Sequence, residues 1–123
     1  MMNVNWVAVI VGFVVAFGAG WLWYSDMMFG EKWRDGIGIA IDDQTPMAPA
    51  MISQAVGTFL LAWVIGITAT TDSLVLAILI ALTIAVLVKA NGFFAQKSKY
   101  AIMVESSYIL VMVVLMILVH AVI

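Results

Sequence analysis

Two ionisable residues, Lys89 and Glu105, stand inside otherwise apolar stretches. A charge in hydrocarbon costs several kcal/mol unless it is paired, so intramembrane charges are the first place to look for chemistry. Lys89 falls about eight residues before the middle of the Gln96 to Lys99 segment, and Glu105 about eight after it. In an antiparallel hairpin both would reach similar depth, roughly 12 Å in, and could form a buried ion pair. Asn91 and Tyr108, with Ser106 and Ser107, are close enough along the same hairpin to add hydrogen bonds. Desolvation raises the proton affinity of a carboxylate, so Glu105 could exchange a proton or hold an ion. The structural alternative is a pair that locks two helices together, with Lys89 snorkelling toward the nearby interface.

Other reactive residue types form no such constellation. His120, the only histidine, lies within one turn of the last residue and is expected at the interface, exposed to water. No other residue has metal-ligand spacing with it, and a methionine copper site cannot be argued from Met27, Met28, Met112 and Met116. Asp26, Glu31, Asp35, Asp42 and Asp43 cluster in one polar segment, but without the alternating oxygen ligands, central Gly and terminal Glu of a calcium loop. Cysteine is absent, which removes disulfides and thiolate chemistry. No phosphate loop, nucleophile elbow or metallopeptidase motif occurs. No cofactor is called for, and an enzyme is not expected.

The elements that hold these residues are set by composition. The 123-residue chain is 66% hydrophobic and 10% charged, far more apolar than soluble domains. With five basic residues and a net charge of -2 it has no patch for nucleic acid. Charges separate four long runs, about residues 4–24, 47–70, 74–95 and 100–122, each long enough to cross a hydrocarbon core of about 30 Å. The reading is an all-α fold: a single transmembrane domain over residues 1–123, built as a four-helix bundle. The first run is longer than a signal-peptide core and no Lys or Arg precedes it, so it is expected to be a retained span.

Within the first span Gly12, Ala16 and Gly20 recur every four residues, a small-residue stripe that lets another helix approach closely. Trp23 and Tyr24, with Phe29 and Trp33 just beyond, are expected to anchor at the headgroup level. Phe29, Trp33 and Ile37 fall at i, i+4 and i+8, with Glu31, Lys32, Arg34 and Asp35 on the other side, which predicts a short interfacial helix between the first two spans. Thr45 and Pro46 suit the start of the second span, and Pro49 is tolerable in its first turn. Thr70 to Ser73 and Gln96 to Lys99 are tight turns, the first with Asp72 or Ser73 able to cap the next helix.

Basic residues near span ends stay preferentially in the cytoplasm. Lys32, Arg34, Lys97 and Lys99 mark the first and third connections, so both termini are predicted on the non-cytoplasmic side of the cell (inner) membrane.

The run Gly20, Trp21, Leu22, Trp23, Tyr24, Ser25, Asp26, Met27, Met28, Phe29, Gly30, Glu31, Lys32, Trp33 resembles the signature of small four-helix membrane proteins catalogued as domain of unknown function 1761. That pattern reads approximately Gly-x-x-Trp-Tyr-Ser-Pro-x-x-Phe-Gly-x-x-Trp, matched at Gly20, Trp23, Tyr24, Ser25, Phe29, Gly30 and Trp33. Asn5 to Val9 resembles the family's start, and Lys97, Ser98, Tyr108, Leu110, Val111 and Met116 its last hairpin. Asp26 departs from the family's proline and Ser107 from its usual glycine before tyrosine. The resemblance implies architecture, and no activity comes with it.

Two functions remain open. One is a structural or accessory subunit in the lipid bilayer, packing into a homo-oligomer or a larger membrane complex through small-residue faces such as Gly12, Ala16 and Gly20. The other is a small ion or proton transporter or channel built on Lys89 and Glu105, which at this size would need several copies.

Overall fold

The computed structural model describes residues 3–25, 28–37 and 48–123, and every described element is helical. Four helices are long and apolar enough to cross a membrane: α1 (Trp6–Trp23), α3 (Ala48–Thr70), α4 (Leu74–Phe94) and α5 (Lys99–Val122). Between the first two lies α2 (Gly30–Ile37), the short amphipathic segment. The chain is an integral membrane protein. Thr45, Pro46, Asp26, Asp42 and Asp43 lie outside the described residues, whereas Pro49 sits in the first turn of α3, where no intrahelical N–H bond is lost.

Local chemistry explains where the helices start and stop. Asn5 Oδ1 accepts from the Ala8 N–H at 3.1 Å, and Ser98 Oγ from the Ala101 N–H at 3.1 Å, so α1 and α5 both open on side-chain caps. Ser73 does not cap α4; its hydroxyl lies 2.8 Å from that of Thr71. The ends of α3 and α4 share a second device. Ser73 N bonds Thr68 O and Asp72 N bonds Ala69 O; Lys97 N bonds Gly92 O and Gln96 N bonds Phe93 O. Each pair is a Schellman closure, with Asp72 (φ 52°) and Gln96 (φ 59°) in the left-handed position where glycine is usual.

Helix α5 is the hub and packs against each of the other four helices. Helix α1 runs antiparallel to it, and Gly12, Ala16 and Gly20 are buried at that seam. A Cβ on Gly12 would lie 3.5 Å from Met116 Cγ, and one on Gly20 would overlap the Tyr108 hydroxyl. The small-residue stripe is therefore occupied by α5 of the same chain, which corrects its expected role as a face for other subunits. Ala77, Ala81, Ala85 and Gly92 do the same for α4, where a Cβ on Gly92 would come within 2.7 Å of Ile102 Cγ1. Val9, Leu61, Ile65, Met112, Val113 and Met116 fill the space between.

Candidate functional site

Polar side chains converge where α2, the start of α5 and the α4 to α5 turn meet. Glu105 lies six residues into α5, roughly 9 Å along the helix from Lys99. Its carboxylate accepts from Lys97 Nζ at 2.9 and 3.0 Å and from Trp33 Nε1 at 2.7 Å. The Lys97 and Glu105 side chains are 24% and 14% exposed, so both charges are largely withdrawn from solvent and neutralise each other. A backbone bond from Ser98 N to Gly36 O, 2.8 Å, fixes α2 beside this pair. Gly36 permits the approach, because a Cβ there would overlap Ser98 Oγ and lie 2.8 Å from Ala101 Cβ. Lys32 Nζ stands 5.5 Å from the centre of the Tyr100 ring, a further tie between α2 and α5.

An aromatic block backs the carboxylate. Tyr24 lies tilted against Trp33 (4.7 Å between centroids, 59° between planes) and meets Tyr108 edge-on at 5.4 Å, while Trp23 lies against Phe29 at 4.7 Å. Trp23 Nε1 donates to Val104 O at 3.0 Å, and the buried Tyr108 hydroxyl donates to Ala16 O at 2.8 Å. Burial, then the Glu105 carboxylate and Tyr108, push the Tyr24 phenol above its ordinary range and keep it neutral. Trp23, Tyr24, Phe29 and Trp33, expected as a headgroup anchor, pack against α5 and one another. The indole N–H groups of Trp23 and Trp33 have protein acceptors, Val104 O and Glu105 Oε2. Trp21, 77% exposed, is the ring of this group that faces outward.

The expected Lys89 to Glu105 pair does not form. Lys89 and Asn91 are exposed on α4, and among the described residues neither side chain makes a hydrogen bond or ion pair. Equal depth is not equal facing: α5 packs on the alanine stripe of α4, and Lys89 is rotated off that stripe. Side chains also leave a helix tilted toward its N-terminus. Glu105 thus leans toward the turn, where Lys97 waits, and Lys89 leans away from it. Of the four residues grouped from the sequence, Glu105 and Tyr108 reach the site and Lys89 and Asn91 do not. Lys97, eight residues before Glu105, and Trp33 are the partners that spacing did not single out.

Inward from Tyr108 the seam is apolar: Ala16, Gly12, Met112, Met116 and Val9 are all buried. Thr58, also buried, directs its hydroxyl at Met112 Sδ, 3.9 Å away. At the far end His120 is half-buried rather than water-exposed, with its ring beside Gly66 and, among the described residues, no hydrogen-bond partner for Nε2. It lines an open hollow of about 330 Å³ with Thr68, Asp72 and Ser73.

Residues 7–121 match the family model described as "Protein of unknown function (DUF1761)". The chain belongs to that family. No curated protein and no solved structure matches it. The family description carries no activity, so function rests on the site itself.

Proposed function

We propose that this family member is an accessory membrane subunit, which acts by assembling with other membrane proteins and performs no reaction of its own. The observation that carries this reading is the apolar α1 to α5 seam behind Glu105. A conducted ion or proton needs polar groups or water along its path, and beyond Tyr108 the buried side chains of α1 and α5 are apolar, with the Thr58 hydroxyl of α3 meeting them at the Met112 thioether. The carboxylate itself is occupied: its two oxygens take three hydrogen bonds from within the chain. An ion-exchanging carboxylate would have to give up those bonds each cycle, whereas a clasp keeps them. Glu105 therefore holds α2 and the α4 to α5 turn onto α5, in place of forming a pathway with Lys89.

The same reading has both termini outside the cytoplasm, supported by Lys32, Arg34, Lys97 and Lys99 on α2 and the α4 to α5 connection. The test is ion flux in proteoliposomes holding the purified protein or Glu105→Gln. Flux no greater than in empty vesicles is expected for both; proton or cation flux that Glu105→Gln abolishes in a folded protein would overturn the proposal.

A further inference from the structure

Among the described residues Lys89 is the intramembrane charge without a partner. It stands five residues before the end of α4, roughly 8 Å along the helix, and makes no ion pair with any described residue. Around it Val75, Leu79, Leu82, Val86 and Phe93 follow a four-three-four-three repeat when Lys89 is counted in, a straight stripe down one side of the helix. All of them are exposed, from 48% at Leu82 to 80% at Val75, and Lys89 is exposed with them. The stripe has the a/d spacing of a helix seam, broken by one cation.

We propose that this face of α4 docks a transmembrane helix of another protein, one that carries an Asp or Glu at the level of Lys89. The proposal rests on the accessory-subunit reading and names its contact. A lone ammonium in hydrocarbon demands an anion, and its position decides which. The Cα–Cβ bonds of a helix tilt toward its N-terminus, so the Lys89 ammonium must bend back past Phe93 and Phe94, both exposed, to meet the nearer headgroup level. A lipid phosphate is thus reached only by snorkelling, which leaves the apolar stripe itself uncovered. A second copy is disfavoured too, because copies inserted with one orientation would set Lys89 against Lys89 across a two-fold axis. Glu105 of another copy is already engaged by Lys97 and Trp33. A carboxylate on a neighbouring helix of a different protein neutralises the charge where it stands, and the apolar stripe supplies the packing that sets the register.

The experiment places a photoreactive side chain at Val86 or Phe93 in native membranes, with Val7 and Ile10 on the exposed face of α1 for comparison. A discrete adduct from the α4 positions is expected, with a protein that mass spectrometry identifies and whose span holds an Asp or Glu. Lys89→Glu lowers its yield about tenfold, Lys89→Gln lowers it less, and changing the partner's acid to Lys restores it with Lys89→Glu. Adducts with lipid only, with a second copy or with a span lacking an acid would overturn the proposal, as would a yield indifferent to Lys89. Adducts confined to the α1 positions would remove this contact while leaving the accessory role; none from either face would remove both.

Discussion

Among individual side chains, Glu105 is the one whose replacement should be felt most. Hydrogen bonds to an ionised group contribute about 1.5–3 kcal/mol, and removing one partner strands the other. Glu105→Gln is expected to lower thermal stability in detergent and to open Trp33 to a fluorescence quencher. Trp33→Phe, which keeps the ring contact with Tyr24 but removes the N–H, should cost about half as much by the same melting measurement. Tyr24 adds a pH dependence. Its folded phenol ionises above its ordinary value of 10.0, so the unfolded chain releases the proton first. Its contribution to stability is therefore complete below pH 10 and declines as pH rises beyond it. Tyr24→Phe is expected to blunt this alkaline loss in melting curves taken between neutral pH and strongly alkaline buffer. Glu105 and Tyr108 were legible from the sequence because a charge and a phenol in an apolar run stand out. Lys97 was not, since a lysine beside a helix start reads as solvated until the left-handed Gln96 turn brings the chain back along α5.

At the level of elements, the four apolar runs and the short amphipathic segment could be read directly, because hydrophobic length and periodicity are local properties. Which faces meet could not be. Gly12, Ala16 and Gly20 announced a close helix contact, yet nothing local says whether the approaching helix belongs to the same chain; Tyr108 and Met116 of α5 answer that. Gly20→Ala would drive a methyl into the Tyr108 hydroxyl and is expected to destabilise by about 1–3 kcal/mol, the usual cost of overpacking. The turns offer the opposite sign. Gln96 holds a backbone conformation that costs an L-residue about 1–2 kcal/mol and glycine nothing. Gln96→Gly should therefore raise the melting temperature, and a lower one would mean that the Gln96 side chain has a role of its own.

For the molecule as a whole, the polar groups divide unevenly between its ends. One end gathers α2, Lys97 and Glu105 into a clasp; the other has the Asp72 turn and a half-buried His120. Reporters fused to each terminus should be active only on the non-cytoplasmic side, and a cytoplasmic signal from either would reverse the orientation. Spans that bury only 17–39% of their residues within the chain leave broad apolar faces, most of all α4. Lipid can cover such faces, but a carboxylate on a neighbouring helix neutralises Lys89 without drawing its ammonium back past Phe93 and Phe94. Assembly with other proteins is therefore the central claim. Native mass spectrometry of the chain extracted in patches of its own membrane tests it most directly. A discrete particle is expected, containing the 13.4 kDa chain together with at least one different membrane protein. The 13.4 kDa chain alone, or bound only to copies of itself, would contradict it.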